Sequence, residues 1–146
     1  GLDAKAVTDD GFYRSGDLFQ IAGEPGNLCY YEFVGRWRQL IVRGGVKISP
    51  EELDDLLTTH ADIAEAAVFG EPDTILGEKV CAAIVLRPGA VLTLKLLQEY
   101  LKSRGVAVFK WPERLEILSQ LPRNPMGKVV RAELSKHLLA LRNRDV

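Results

Sequence analysis

The chain has 146 residues, enough for one or at most two compact domains and too few for a multi-domain enzyme with a large substrate cavity. Hydrophobic residues make up 47% and charged residues 27%, which excludes disorder as the main state. With 19 basic against 20 acidic side chains there is no overall positive field for a nucleic acid or an anionic membrane, so any anion must be bound locally.

In chain order, apolar-rich runs at 18–22 and 28–34, separated by Gly23-Glu24-Pro25-Gly26-Asn27, predict a β-hairpin. A third run, 39–43, ends at Gly44-Gly45, and Lys47-Ile48 resumes extended structure. Ser49-Pro50-Glu51-Glu52 predicts a helix start: serine as cap, proline at the first position and Glu52 completing a capping box, with Leu53, Leu56 and Leu57 as the stripe to about His60. Strands are predicted at 63–70 and 79–86, with Glu71-Pro72-Asp73 and Gly77 between them. Thr93 is read as the cap of a second helix through Leu94, Leu97, Tyr100 and Leu101, stopped by Gly105. A strand at 113–118, a breaker-rich loop at 121–128, and a final helix marked by Val130, Leu134, Leu138 and Leu141 complete the pattern. The class expected is α+β: a β-hairpin region, then, past a boundary near Gly35 to Arg38, a small domain with a mostly antiparallel sheet and about three helices.

No apolar run approaches the roughly 18 residues of a membrane span, and residues 1–10 lack the basic-then-apolar order of a signal peptide. A cytoplasmic location is therefore expected. Cys29 and Cys81 share no ligand spacing with a histidine or another cysteine, and both lie in apolar runs, so buried free thiols are expected. The chain begins at Gly1 and its single methionine is Met126, so it reads as a fragment or a processed chain.

Familiar catalytic constellations are mostly missing. His60 and His137 are too far apart for a metal-binding helical pair, His60 reads better as a helix end, and no serine sits in a nucleophile elbow. Pro125-Met126-Gly127-Lys128 is not a Walker loop, because Pro122 stands where its first glycine belongs and Val129 where its Ser/Thr belongs. Three loop clusters remain, each pairing glycine with charge: Tyr13-Arg14-Ser15-Gly16-Asp17, Gly35-Arg36-Trp37-Arg38 with Gly44-Gly45-Val46-Lys47, and residues 122–128. Singly, each also reads as a turn with a surface charge.

Together, in this order and spacing, they resemble the C-terminal portion of the adenylate-forming superfamily of acyl-CoA synthetases, peptide-synthetase adenylation domains and luciferases. The resemblance covers nearly the whole chain. Tyr13-Arg14-Ser15-Gly16-Asp17-Leu18 is similar to the family's Y-R-[ST]-G-D-L motif, the stretch from Gly35-Arg36 through Gly45 to Glu52 to its hinge and glycine loop, and Leu121-Pro122-Arg123-Asn124-Pro125-Met126-Gly127-Lys128 to its closing L-P-R-x-x-x-G-K.

The resemblance implies an enzyme that joins a carboxylic acid to AMP using ATP, with Mg2+, and then passes the acyl group to a thiol such as coenzyme A. Lys128 matches the catalytic cation between substrate carboxylate and phosphate oxygens, and Gly127 lets the backbone enter the site. Asp17 matches the acid that accepts both ribose hydroxyls, and Arg36 an arginine near the same nucleotide. The hinge falls at Arg38, where many relatives carry Asp and others Lys. Gly44 and Gly45 would leave a pantetheine channel, and Lys47 would meet a CoA phosphate; no metal ligand is assigned. Residues 1–37 would be the end of a large N-terminal adenylation domain and 38–146 a mobile C-terminal lid.

Arg43-Gly44-Gly45-Val46-Lys47-Ile48-Ser49-Pro50-Glu51-Glu52, Leu76-Gly77-Glu78-Lys79-Val80 and Lys110-Trp111-Pro112-Glu113-Arg114 are most similar to acyl-CoA or aryl-acid ligases, so a fatty or other carboxylic acid:CoA ligase is expected. Its partners are the small acid, ATP, CoA and the missing N-terminal domain, and the fragment alone is expected to be inactive. Two alternatives stand beside it: delivery to a carrier-protein phosphopantetheine, and a non-enzymatic interaction module in which Trp37 and Trp111 are contact anchors. Residues 1–35 are expected to pack poorly or to make contacts with a second copy, as a homodimer.

Overall fold

The computed structural model describes residues 7–24, 26, 30–36 and 39–142, with side chains at all of these except 35 and 137–142. The readings on Cys29, Trp37 and Arg38, and on the side chains of His137, Leu138 and Leu141, lie outside the described residues. The chain forms two compact units, Gly1–Leu40 and Ile41–Val146.

The first unit is an antiparallel hairpin of β1 (Asp17–Ala22) and β2 (Tyr30–Arg36). Strand alternation places Phe19 opposite Phe33 and Ile21 opposite Tyr31 on one face, the two phenyl rings meeting edge to face at 5.6 Å. That apolar face is open: the four side chains are 51%, 53%, 69% and 75% exposed (Phe19, Phe33, Ile21, Tyr31). Among the described residues of this unit, Leu40 alone is a buried hydrophobic. Poor packing is what the sequence predicts here.

The second unit has the expected α+β character. Its strands are β3 (Ile41–Arg43), β4 (Val46–Ile48), β5 (Ile63–Asp73), β6 (Gly77–Leu86) and β7 (Arg114–Ile117), and its helices are α1 (Pro50–Thr58), α2 (Leu94–Ser103) and α3 (Arg131–Arg142). The sheet runs β4-β3-β6-β5, with β7 also on β6; only the β6–β7 pairing is parallel. Residues 66–69 of β5 and 80–86 of β6 read as continuous apolar runs because both faces of the sheet are covered there. On one face Ala66, Val68, Val80, Ala82 and Ile84 pack with Leu53 and Leu57 of α1 and Leu97 and Leu101 of α2. On the other, Ala67, Phe69, Cys81 and Ala83 pack with Leu121 and with Leu134 of α3. Cys81 is the buried free thiol expected; burial, then the Glu71 carboxylate, push it up to about 12.

Two local expectations are corrected. Ser49 makes no capping hydrogen bond; its Oγ lies 3.3 Å from a Glu51 oxygen, and Glu52 pairs with Lys110 at 2.8 Å instead of closing a capping box. A distant ammonium outcompetes the local amide for that carboxylate. Glu71-Pro72-Asp73 is strand, not loop: the ladder continues through Glu71↔Lys79, Pro72↔Glu78 and Asp73↔Gly77. Proline is tolerated there because β5 is an edge strand. Trp111 packs against the core and donates to the Val106 carbonyl at 2.9 Å, which is a packing role. No helix among the described residues is long and apolar enough to cross a membrane.

Candidate functional site

In the first unit, Gly16 at φ +81° turns the chain into β1, a left-handed conformation open to glycine. Asp17 follows as the first residue of β1 and stands opposite Arg36, the last of β2. Arg36 Nε lies 3.3 Å from Asp17 Oδ1, and the Asp17 amide donates to Ser15 Oγ at 3.2 Å. The structure therefore brings together the two residues that the resemblance assigns to the nucleotide.

In the second unit, Gly44 and Gly45 form the two-residue turn between β3 and β4, at φ +56° and +82°, as a type I′ hairpin requires at both positions. The Gly44 amide donates to the Leu76 carbonyl at 2.7 Å, docking this turn on the β5–β6 turn. Lys47 stands opposite Val42, exposed. Asp73 organises the adjoining turn, accepting the Ile75 and Leu76 amides at 3.0 and 2.8 Å and pairing with Lys79 at 2.6 Å. The Lys79 ammonium and those amides hold its carboxyl down at about 2. Glu78 accepts the Val42 amide at 2.6 Å, and its carboxylate also lies against Gly70, where a Cβ would come within 2.6 Å of Oε1.

The loop that carries Lys128 is tied by Arg123 to Glu65, near the opposite end of the β5–β6 ladder. That loop is closed by a bridge between Arg123 and Val129 and turned by Gly127 at φ +81°. Nothing among the described residues crowds Gly127, and its positive φ is a conformation that favours glycine. Asn124 Oδ1 accepts the Met126 and Lys128 amides at 3.0 and 2.9 Å, and the Asn124 amide donates to the Lys128 carbonyl at 2.8 Å. Arg123 Nη1 donates to the Gly127 carbonyl at 2.6 Å while Nη2 pairs with Glu65 of β5. The Lys128 side chain is exposed, and among the described residues no acid pairs with its amine.

Glu65 pairs with Val85 while Asp73 pairs with Gly77, eight residues further along β5. At about 3.4 Å per residue the two ends lie roughly 27 Å apart. Gly44, Gly45 and Lys47 thus occupy one end of the sheet, and the Lys128 loop is tied to the other through Arg123.

The structure adds groups that sequence reasoning missed. Arg131 opens α3 three residues after Lys128, pairs with Asp54 of α1, and donates from Nε to the Val68 carbonyl at 2.9 Å; Asp54 accepts the Val68 amide at 2.6 Å. The pair fills both backbone valences of Val68 on the free side of an edge strand. Arg114 lies 3.6 Å from buried Glu71, to which the Cys81 thiol donates at 3.5 Å. No sequence signal marks Glu65 or Asp54. Asn124, two residues before an amide it binds, has the spacing of an Asx turn, a signal available in the sequence. Among the described residues no trio of His, Cys, Asp or Glu gathers to hold a metal ion.

Residues 52–128 match the model of the AMP-binding enzyme C-terminal domain. The chain is 36% identical over 146 residues to the medium-chain fatty-acid–CoA ligase of Escherichia coli, covering 99% of this chain and 25% of that one. It is 42% identical over 129 residues to the salicyl-AMP ligase / salicyl-S-ArCP synthetase of Mycobacterium tuberculosis, covering 88% and 22%. Among solved structures, o-succinylbenzoate CoA synthetase from Bacillus subtilis in complex with its acyl-adenylate intermediate superimposes with a TM-score of 0.77 at 32% identity, over 89% of this chain and 25% of that one. The chain spans about a quarter of the length of these relatives.

Proposed function

The chain belongs to the AMP-binding enzyme C-terminal domain family, and from that premise we propose that it is the C-terminal segment of a longer ATP-dependent carboxylic acid:CoA ligase. Residues 1–37 are the end of its adenylation domain and 38–146 its lid. The observation that carries this reading is Lys128: an exposed ammonium, paired with no acid among the described residues, on a loop whose backbone is tied down.

In the adenylation step a carboxylate attacks the α-phosphorus of ATP, and pyrophosphate leaves. Both reactants are anionic, so a preorganised cation between them lowers the barrier. Lys128 supplies that charge. Asp17 accepts hydrogen bonds from the ribose hydroxyls and Arg36 fixes its carboxylate beside the nucleotide. Mg2+ enters as the counter-ion of ATP, and no ligand for it is assigned to this segment. Rotation about Arg38 then withdraws Lys128 and presents the opposite end of the sheet, where Gly44 and Gly45 admit the pantetheine arm and Lys47 meets a CoA phosphate. The placement of the two loops at opposite ends of β5 and β6 supports such an exchange. The open apolar face of the hairpin supports its being one part of a larger domain. A fatty or other carboxylic acid as substrate and the cytoplasm as location complete this reading.

Lys128→Ala in the full-length protein should slow acid-dependent pyrophosphate release by about 10²–10³-fold and leave thioester formation from supplied acyl-adenylate unchanged. Equal loss in both half-reactions would remove Lys128 from the role given it. A second reading, delivery to a carrier-protein thiol, is favoured by the 42% identity to an enzyme named a salicyl-S-ArCP synthetase. Rates with CoA and with a phosphopantetheinyl carrier as acceptors decide between the two.

A further inference from the structure

The peptide between Gly127 and Lys128 is gripped from both sides: its carbonyl by Arg123 Nη1 at 2.6 Å and its amide by Asn124 Oδ1 at 2.9 Å. We infer that Arg123 is a positioning residue for Lys128, tying that peptide to strand β5 through Glu65. The inference rests on the reading of Lys128 as the adenylation cation.

Asn124 alone only closes the loop on itself, since both amides it accepts belong to the same turn. Arg123 does something different. Its second guanidinium nitrogen pairs with Glu65, 58 residues away on a strand that supplies Ile63, Ala66 and Val68 to the core of the unit. The loop is thereby referenced to the sheet. A planar guanidinium sends two donors in fixed directions to two partners, which a lysine ammonium on a flexible stem does not reproduce. The Lys128 side chain has no partner of its own among the described residues, so the volume its flexible stem lets the amine reach is centred on where its Cα is held. At a reacting centre a misplacement of about 1 Å costs up to ~10²-fold in rate.

The test uses the full-length protein carrying this segment. Arg123→Gln should lower kcat for adenylate formation by about 10–100-fold, with KM for ATP and acid within about twofold and thioester formation from supplied acyl-adenylate unchanged. Arg123→Lys, which keeps charge toward Glu65 but not the fork, and Glu65→Gln, which keeps the Gly127 contact, should each fall between parent and Arg123→Gln. Combining Arg123→Gln with Lys128→Ala should be no slower than Lys128→Ala alone, because both act through one amine. Normal adenylation in Arg123→Gln, equal loss in both half-reactions, or a fully multiplicative double variant overturns the inference while leaving Lys128 in place. Intact adenylation in Lys128→Ala overturns both readings, so the two failures are distinguishable.

Discussion

Asp54 is a carboxylate that folding places largely out of water. Burial pushes its carboxyl up to about 6 from the ordinary 3.8, against the pull of the Arg131 guanidinium and the Val68 amide and with help from Glu51 and Asp55. Because the folded value lies above the unfolded one, the stability this group contributes is complete below about pH 4 and is lost as pH rises through 6. Asp54→Asn keeps an acceptor for the Val68 amide and removes the titration. The stability of the parent chain relative to Asp54→Asn should therefore fall by about 2–3 kcal/mol at most between pH 4 and pH 7, read by urea denaturation at each pH. A difference that stays flat across this window would mean that Asp54 is not a desolvated charge. The sequence shows Asp54 only as one of several acids in a helix, since neither its burial nor Arg131 leaves a local mark.

Helix starts show how far local chemistry reaches. Ser49-Pro50-Glu51-Glu52 and Thr93-Leu94 both read as capped starts, yet only Thr93 accepts an amide, that of Leu96, at 3.3 Å. Glu52 is drawn to Lys110, and α1 begins on Pro50 with two acids in its first turn. Thr93→Ala should then cost about 1 kcal/mol and Ser49→Ala less than about 0.5 kcal/mol, compared by thermal melting of the two variants. Equal costs would show that the Ser49 hydroxyl caps α1 in solution. The Gly44-Gly45 turn needed no distant partner to be recognised, because positive φ at two successive positions is a demand few residues besides glycine meet.

For the whole molecule, the division at Leu40 and Ile41 separates unequal stabilities. The second unit buries both faces of its sheet under helices, whereas the described part of the first is a two-stranded ribbon whose aromatic face meets water. A lone hairpin is marginal in water. A chain of residues 41–142 should therefore melt cooperatively by itself, while a peptide of residues 1–40 should show no thermal transition in circular dichroism. Limited proteolysis of the whole chain should leave a resistant product starting near Ile41. A resistant fragment that retains the hairpin would place more core in the first unit than its exposure allows.

What the amino-acid sequence determined by itself was local: the hairpin strands, the glycine turns, the Thr93 cap, the amphipathic helices, and the ordered motifs at Asp17, Gly44-Gly45 and Lys128 that carry the family. Those signals survive because they depend on backbone conformation and short-range periodicity. The tertiary structure alone decided that the Lys128 loop and the glycine turn are tied to opposite ends of one ladder, that Arg123 reaches Glu65, and that Arg131 reaches Asp54. Each of those facts joins residues dozens of positions apart, and the energy of such a contact comes from burial and geometry that no single stretch of the chain contains.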